Sequence, residues 1–118
     1  MRPYRSGTAH NGLHDWHWQR LSAVVLALLI PLPFLLLICI YSGNIDQISL
    51  LNLLDHPVTR TLHTLLIAAL TIHGYVGLKV IIEDYLHCSC ARVVVVGGLM
   101  TVFAAISIWW LALIWGWF

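Results

Sequence analysis

The sequence predicts an all-α membrane protein with three transmembrane helices, and three observations predict it. Of its 118 residues, 60% are hydrophobic and 9% charged, against roughly a quarter charged in ordinary soluble domains. Three stretches each supply the about 20 apolar residues that a helix needs to cross a hydrocarbon core. Helix-breaking clusters fall between those stretches, and tryptophans gather near their ends.

The first stretch runs uncharged from Leu21 to Tyr41, behind a segment at 1–20 that carries Arg2, Arg5 and Arg20. Charge followed by apolar residues suggests a signal peptide. The run, however, outlasts the roughly 7 to 15 residues of a cleavable apolar region, and no Ala-x-Ala-like site follows. It is expected to remain as an anchor, with Pro31 and Pro33 each withholding a backbone donor and so bending or rewrapping the helix. The second span covers 58–82 and is the least apolar, since it holds His63, His73, Gly74, Gly77 and Lys79, the last close enough to the end to snorkel. The third covers 93–117, where Gly97, Thr101 and Ala105 recur every four residues as a small-residue stripe suited to helix packing. Ser42-Gly43-Asn44 and Asp55-His56-Pro57 break the chain between the first two spans, and Pro57 suits a first helical turn. The polar residues of the next connection lie between Glu83 and Arg92. Residues 1–118 are expected to form a single membrane domain.

Basic residues sort unevenly, with Arg2, Arg5, Arg20, Lys79 and Arg92 on one side of this plan and Arg60 alone on the other. By the positive-inside rule the N-terminus is cytoplasmic and the C-terminus periplasmic. Trp16 and Trp18 mark one boundary and Trp115 and Trp117 the other, while Trp109 and Trp110 lie deeper. A net charge of +1 gives no field that would hold nucleic acid. The three cysteines imply no disulfide framework: Cys39 sits in an apolar run, and His87, Cys88 and Cys90 form a poor zinc set without further ligands.

His73 needs a reason to be where it is. It lies nine residues inside its span, a depth of roughly 13 Å, and a neutral imidazole in hydrocarbon must satisfy both ring nitrogens. Two arrangements do so: hydrogen bonds across to another helix, or a metal on one nitrogen and an acceptor on the other. Ala69 and Gly77, four residues either way, share its face and leave it shallow, which suits close helix packing or a flat macrocycle. His63 lies roughly 80° around the helix and about 15 Å along it, so the two histidines cannot hold one iron. Spans one and three contain no histidine. A six-coordinate b-type haem here would take its second axial ligand from a partner chain.

At the end of the second span stand Glu83, Asp84 and Tyr85. A tyrosine hydroxyl can donate to a quinone carbonyl and an adjacent carboxylate can relay protons, but the same residues also serve as an interfacial aromatic and a solvated helix end. Arg20 enters the membrane with the first span, where its guanidinium suits a haem propionate or a lipid phosphate.

Two segments carry a resemblance: Asn11-Gly12-Leu13-His14-Asp15 followed by Arg20 and Ser22, and His73, Gly77, Asp84 and Tyr85 in the order H-x3-G-x6-D-Y. With the length and the three spans, they make the chain resemble the small hydrophobic membrane anchors of bacterial succinate dehydrogenases that carry one haem b. The resemblance implies that His73 is an axial ligand of the haem iron and that Arg20 and His14 lie near its propionates. It likewise implies that Tyr85 and Asp84 belong to the ubiquinone site. Implied partners are a flavoprotein subunit with FAD, an iron-sulfur subunit with the clusters, and a second membrane anchor subunit that supplies the other haem ligand. Pro31 and Pro33 and the His87-Cys88-Ser89-Cys90 turn stand outside that pattern.

The expected function is therefore that of a membrane-anchoring subunit of a succinate:ubiquinone oxidoreductase in the bacterial inner membrane. It binds lipid, haem b and quinone but not succinate, because the chain has no dinucleotide fingerprint and too few cysteines for a cluster. A small transporter, with its broken helix at Pro31 and Pro33 and a relay through His63 and His73, is the rival from another class. It lacks a paired repeat and any acidic residue at mid-membrane. A cofactor-free structural anchor is the third reading.

Overall fold

The computed structural model describes residues 9–116, with side chains from residue 12. Arg2, Arg5 and Trp117, used above to orient the chain, lie outside the described residues. The described chain is helical throughout: α1 (Ala9–Leu29), α2 (Pro31–Tyr41), α3 (Gln47–Asp55), α4 (Pro57–Tyr85) and α5 (Ser89–Ile114). Three stretches are long and apolar enough to cross a membrane: Gly12–Tyr41, which joins α1 and α2, then Pro57–Tyr85 and Ser89–Ile114. The expected all-α class with three spans is the observed one.

The first span departs from expectation at its start, because helix begins at Ala9 rather than at Leu21. Bonds between residues four apart hold this polar extension: Trp18 Nε1 donates to His14 Nε2 at 2.9 Å, and His17 Nδ1 lies 2.7 Å from the Leu13 carbonyl. The break at Pro31 is local. Ile30 keeps helical dihedrals and its N–H still donates to the Leu26 carbonyl at 2.8 Å, so the two prolines interrupt the ladder without ending the span.

α2 stops in a Schellman turn: Asn44 N–H donates to Cys39 O at 3.0 Å and Gly43 N–H to Ile40 O at 3.1 Å. Gly43 has φ +72°, the left-handed conformation that such a turn demands. The short α3 that follows was not expected. Asp46 caps it by accepting from the Ser49 N–H at 3.2 Å. Pro57 then opens α4 within its first turn, as predicted, with His56 Nδ1 accepting from the Val58 N–H.

α4 lies between α1 and α5. The interior is small, with Ser22, Leu26, Ile67, Ala69, Val76 and Ala112 buried, while large apolar side chains such as Leu28, Phe34 and Val94 face outward, as a lipid solvent allows. Against α5, Thr71 and Ser107 share a hydrogen bond at 2.5 Å and Trp115 Nε1 donates to Thr64 Oγ1 at 3.2 Å. Gly97, Thr101 and Ala105 are exposed and do not pack within the chain. The glycine that admits a close neighbour is Gly74, where an added Cβ would meet the Phe103 ring at 2.7 Å.

Candidate functional site

Asp15, Gln19, Ser22 and Leu26 recur at intervals of four, three and four along α1, which places them on one face. Across from them on α4 stand Ala69, His73, Val76, Gly77 and Lys79. Lys79 Nζ donates to Asp15 Oδ2 at 2.6 Å, with the two side chains 20% and 14% exposed. Lys79 is thus fixed by a carboxylate of its own chain rather than reaching out to the interface. His73 lies six residues before Lys79 on α4, about 9 Å away along the helix.

Both ring nitrogens of His73 face α1. Ser22 donates its hydroxyl proton to the Trp18 carbonyl at 2.7 Å, with the Gln19 carbonyl at 3.1 Å. The Ser22 oxygen lies 3.3 Å from His73 Nδ1, where it can accept from an Nδ1–H while its own proton stays on the Trp18 carbonyl. In that arrangement Nδ1 carries the ring proton and Nε2 keeps its lone pair. The Gln19 amide nitrogen stands 3.4 Å from that lone pair, a long, weak contact. Gln19 Oε1 is buried without a partner.

A haem iron would fit this donor set. Ligation through Nε2 requires the proton on Nδ1, where the Ser22 oxygen can accept it, and the atom now facing Nε2 belongs to a flexible side chain. The shallow face expected beside His73 exists but is filled: an added Cβ on Gly77 would lie 3.1 Å from Gln19 Nε2. Withdrawal of Gln19 would bare both the lone pair and the surface over Gly77, and would release its orphaned oxygen. With Gln19 withdrawn, they would offer a flat macrocycle one ligand and a smooth wall.

The other expected site residues are not gathered around His73. Arg20 is exposed and stacks on Trp16, its guanidinium 5.7 Å from the ring centroid, one residue off the Gln19 face. His14 is exposed beside Asp15 at 4.0 Å and bonded to Trp18, without touching His73. Asp84 and Tyr85 occupy the last turn of α4, about 18 Å from His73 along the helix. Tyr85 is 80% exposed, and neither side chain forms a hydrogen bond among the described residues. His63 is remote, with its Nδ1 2.9 Å from the Thr59 carbonyl, and it lines two largely apolar cavities of about 340 and 450 Å³. His87 Nδ1 turns to the Tyr85 carbonyl at 3.1 Å, and among the described residues no three His, Cys, Asp or Glu side chains converge on a metal position. Gln19 and the Asp15–Lys79 pair escaped the sequence reading. The signal that could have found them is the spacing of Asp15, Gln19, Ser22 and Leu26, a helix seam whose first three members are polar.

Comparison with known proteins now adds to this geometry. The sequence pattern of the succinate dehydrogenase/fumarate reductase transmembrane subunits matches residues 2–113, nearly the whole chain. The chain belongs to that family. It is 33% identical over 94 residues to the succinate dehydrogenase hydrophobic membrane anchor subunit of Rickettsia bellii, covering 78% of this chain and 72% of the relative. The corresponding protein of Rickettsia typhi is 27% identical over 88 residues, covering 74% and 68%. Membership accounts for the architecture: the chain is a membrane anchor subunit of the succinate dehydrogenase type. The observed three apolar helices are what such an anchor consists of.

Proposed function

We propose that this family member is the small membrane anchor of a bacterial succinate:ubiquinone oxidoreductase, and that it forms half of a haem b site and part of the quinone site. It sits in the inner membrane with its N-terminus cytoplasmic and tethers the flavoprotein and iron-sulfur subunits, which carry FAD and the clusters. The observation that carries the haem reading is the placing of the two ring nitrogens of His73, Nδ1 3.3 Å from the Ser22 oxygen and Nε2 3.4 Å from the Gln19 amide that lies over Gly77. His73 would hold the iron. Arg20 and His14, at the end of α1 that precedes the apolar run, meet the propionates, for which a guanidinium is well shaped. A second ligand for that iron would come from the other membrane anchor of the complex, because His63 is about 15 Å away along α4. When bound, the haem supplies a one-electron carrier in the membrane.

Tyr85 and Asp84, exposed at the end of α4, serve the quinone. Reduction of a quinone to a quinol takes two electrons, delivered from succinate through the flavin and clusters of the other subunits, and two protons from water. The Tyr85 hydroxyl donates to a quinone carbonyl and orients the ring, and the Asp84 carboxylate passes protons inward from the aqueous edge.

The absorption spectrum of the purified complex tests the haem assignment. A reduced b-type haem signal is expected, and it should be altered or lost in His73→Ala but kept in His63→Ala. If the His73 variant retains unaltered haem content and spectrum, another residue is the ligand.

A further inference from the structure

Ser22 is 3% exposed, the buried polar residue of the interior, and it holds a position on the α1 seam where an apolar side chain would pack well. A mid-helix serine that bonds back to its own helix gives nothing to helix stability. Its oxygen, however, lies 3.3 Å from His73 Nδ1 while its hydroxyl bonds back to the Trp18 carbonyl at 2.7 Å. We propose that Ser22 is the positioning residue that makes His73 an iron ligand: its hydroxyl oxygen holds the Nδ1 proton, so that Nε2 presents its lone pair, and it sets the reduction potential of the iron that binds there. The inference rests on the reading of His73 as a haem ligand.

The chemistry follows from the direction of the bonds. Because the Ser22 proton is drawn to the Trp18 carbonyl, its oxygen is polarised into a better acceptor for Nδ1–H. An acceptor on the distal nitrogen makes an imidazole a more basic ligand. A more basic ligand favours ferric over ferrous iron, so Ser22 lowers the potential. The opposite tautomer would require Ser22 to turn its proton toward Nδ1 and away from the α1 carbonyls. Iron would then meet an N–H on Nε2 instead of a lone pair.

The test is a spectroelectrochemical titration of the haem in the intact complex with Ser22→Ala, Ser22→Cys and Ser22→Thr. Alanine removes the acceptor, cysteine keeps the shape with a far poorer acceptor, and threonine keeps the hydroxyl. Alanine and cysteine should raise the midpoint potential and weaken haem retention by roughly tenfold or more, while threonine restores both. An unshifted potential in a haem-loaded alanine or cysteine variant overturns the role of Ser22. Should the alanine variant not assemble, the near-isosteric cysteine variant decides the question. A wild-type complex without haem, or a His73→Ala complex with unchanged haem, overturns the ligand reading and this inference together. Haem lost in His73→Ala but indifferent to Ser22 overturns this inference alone.

Discussion

At the residue scale, Gln19, Ser22 and His73 divide one task, since each gives the next its hydrogen-bonding state. The polar residues on the α1 seam surround the one imidazole that the sequence places deep in hydrocarbon, and both readings of that imidazole meet here. Without a cofactor it is a histidine bonded across helices; with one, the same Nδ1 contact would orient a ligand and Gln19 would have to give way. His73 was legible because a polar ring within an apolar run stands out by type alone. Gln19 and Asp15 were not, because they precede the uncharged run and read as ordinary polar residues until α1 is seen to extend through them. Tyr85 and Asp84 were legible only through the resemblance. Tyr85→Phe should impair quinone reduction while sparing succinate oxidation by a soluble artificial acceptor. One hydrogen bond to a neutral partner is worth about 0.5 to 1.5 kcal/mol, so binding alone accounts for a loss of a few-fold. A larger fall in turnover points to proton delivery, which Asp84→Asn should reproduce because an amide keeps the shape but carries no proton. If both variants reduce quinone at the unmodified rate, the pocket lies on the partner subunits.

At the element scale, the long apolar helices were readable and the polar pieces were not. Counting apolar residues locates where a helix is in lipid, not where it begins; α1 therefore starts at Ala9 although its apolar run starts at Leu21. α3 was missed for a related reason: it is nine residues long and sits between two breaker clusters that were read only as punctuation. Its cue was Asp46 ahead of a run with Ile48, Leu50, Leu51, Leu53 and Leu54, a capping residue before an apolar turn. The small-residue stripe on α5 is present as the spacing implied, but it faces outward, and the intrachain contact instead uses Gly74 on α4. There an added methyl group would lie 2.7 and 2.8 Å from Phe103 Cε1 and Cζ. Gly74→Ala should therefore force the ring aside and destabilise the α4–α5 pair by about 1 to 3 kcal/mol. Thermal unfolding in detergent checks this, and adding Phe103→Leu should recover most of the loss. An additive double mutant would show that the ring is not what resists the methyl.

At the scale of the whole molecule, the charge distribution predicts a direction that the helices alone do not. Among described residues, Lys79 is paired with Asp15 and Arg60 with Asp55, yet acidic neighbours weigh little in the positive-inside rule, so Arg20 and Arg92 at one end still outnumber Arg60 at the other. That end holds the turn between α4 and α5, and the turn carries a chemical reporter. The backbone N–H groups of Ala91 and Cys90 at the start of α5 hold the exposed Cys88 thiol below the usual cysteine range, which enlarges its thiolate fraction near neutral pH and speeds its alkylation. Asn52 on α3 is exposed at the opposite end of the spans and accepts a cysteine without touching the interior. With a membrane-impermeant maleimide on intact cells, Asn52→Cys should label and Cys88 should not. Once the membrane is permeabilised, Cys88 should react, and faster than Cys90. Labelling of Cys88 from outside, with Asn52→Cys silent, would reverse the chain in the membrane and place Tyr85 and Asp84 on the side away from the dehydrogenase.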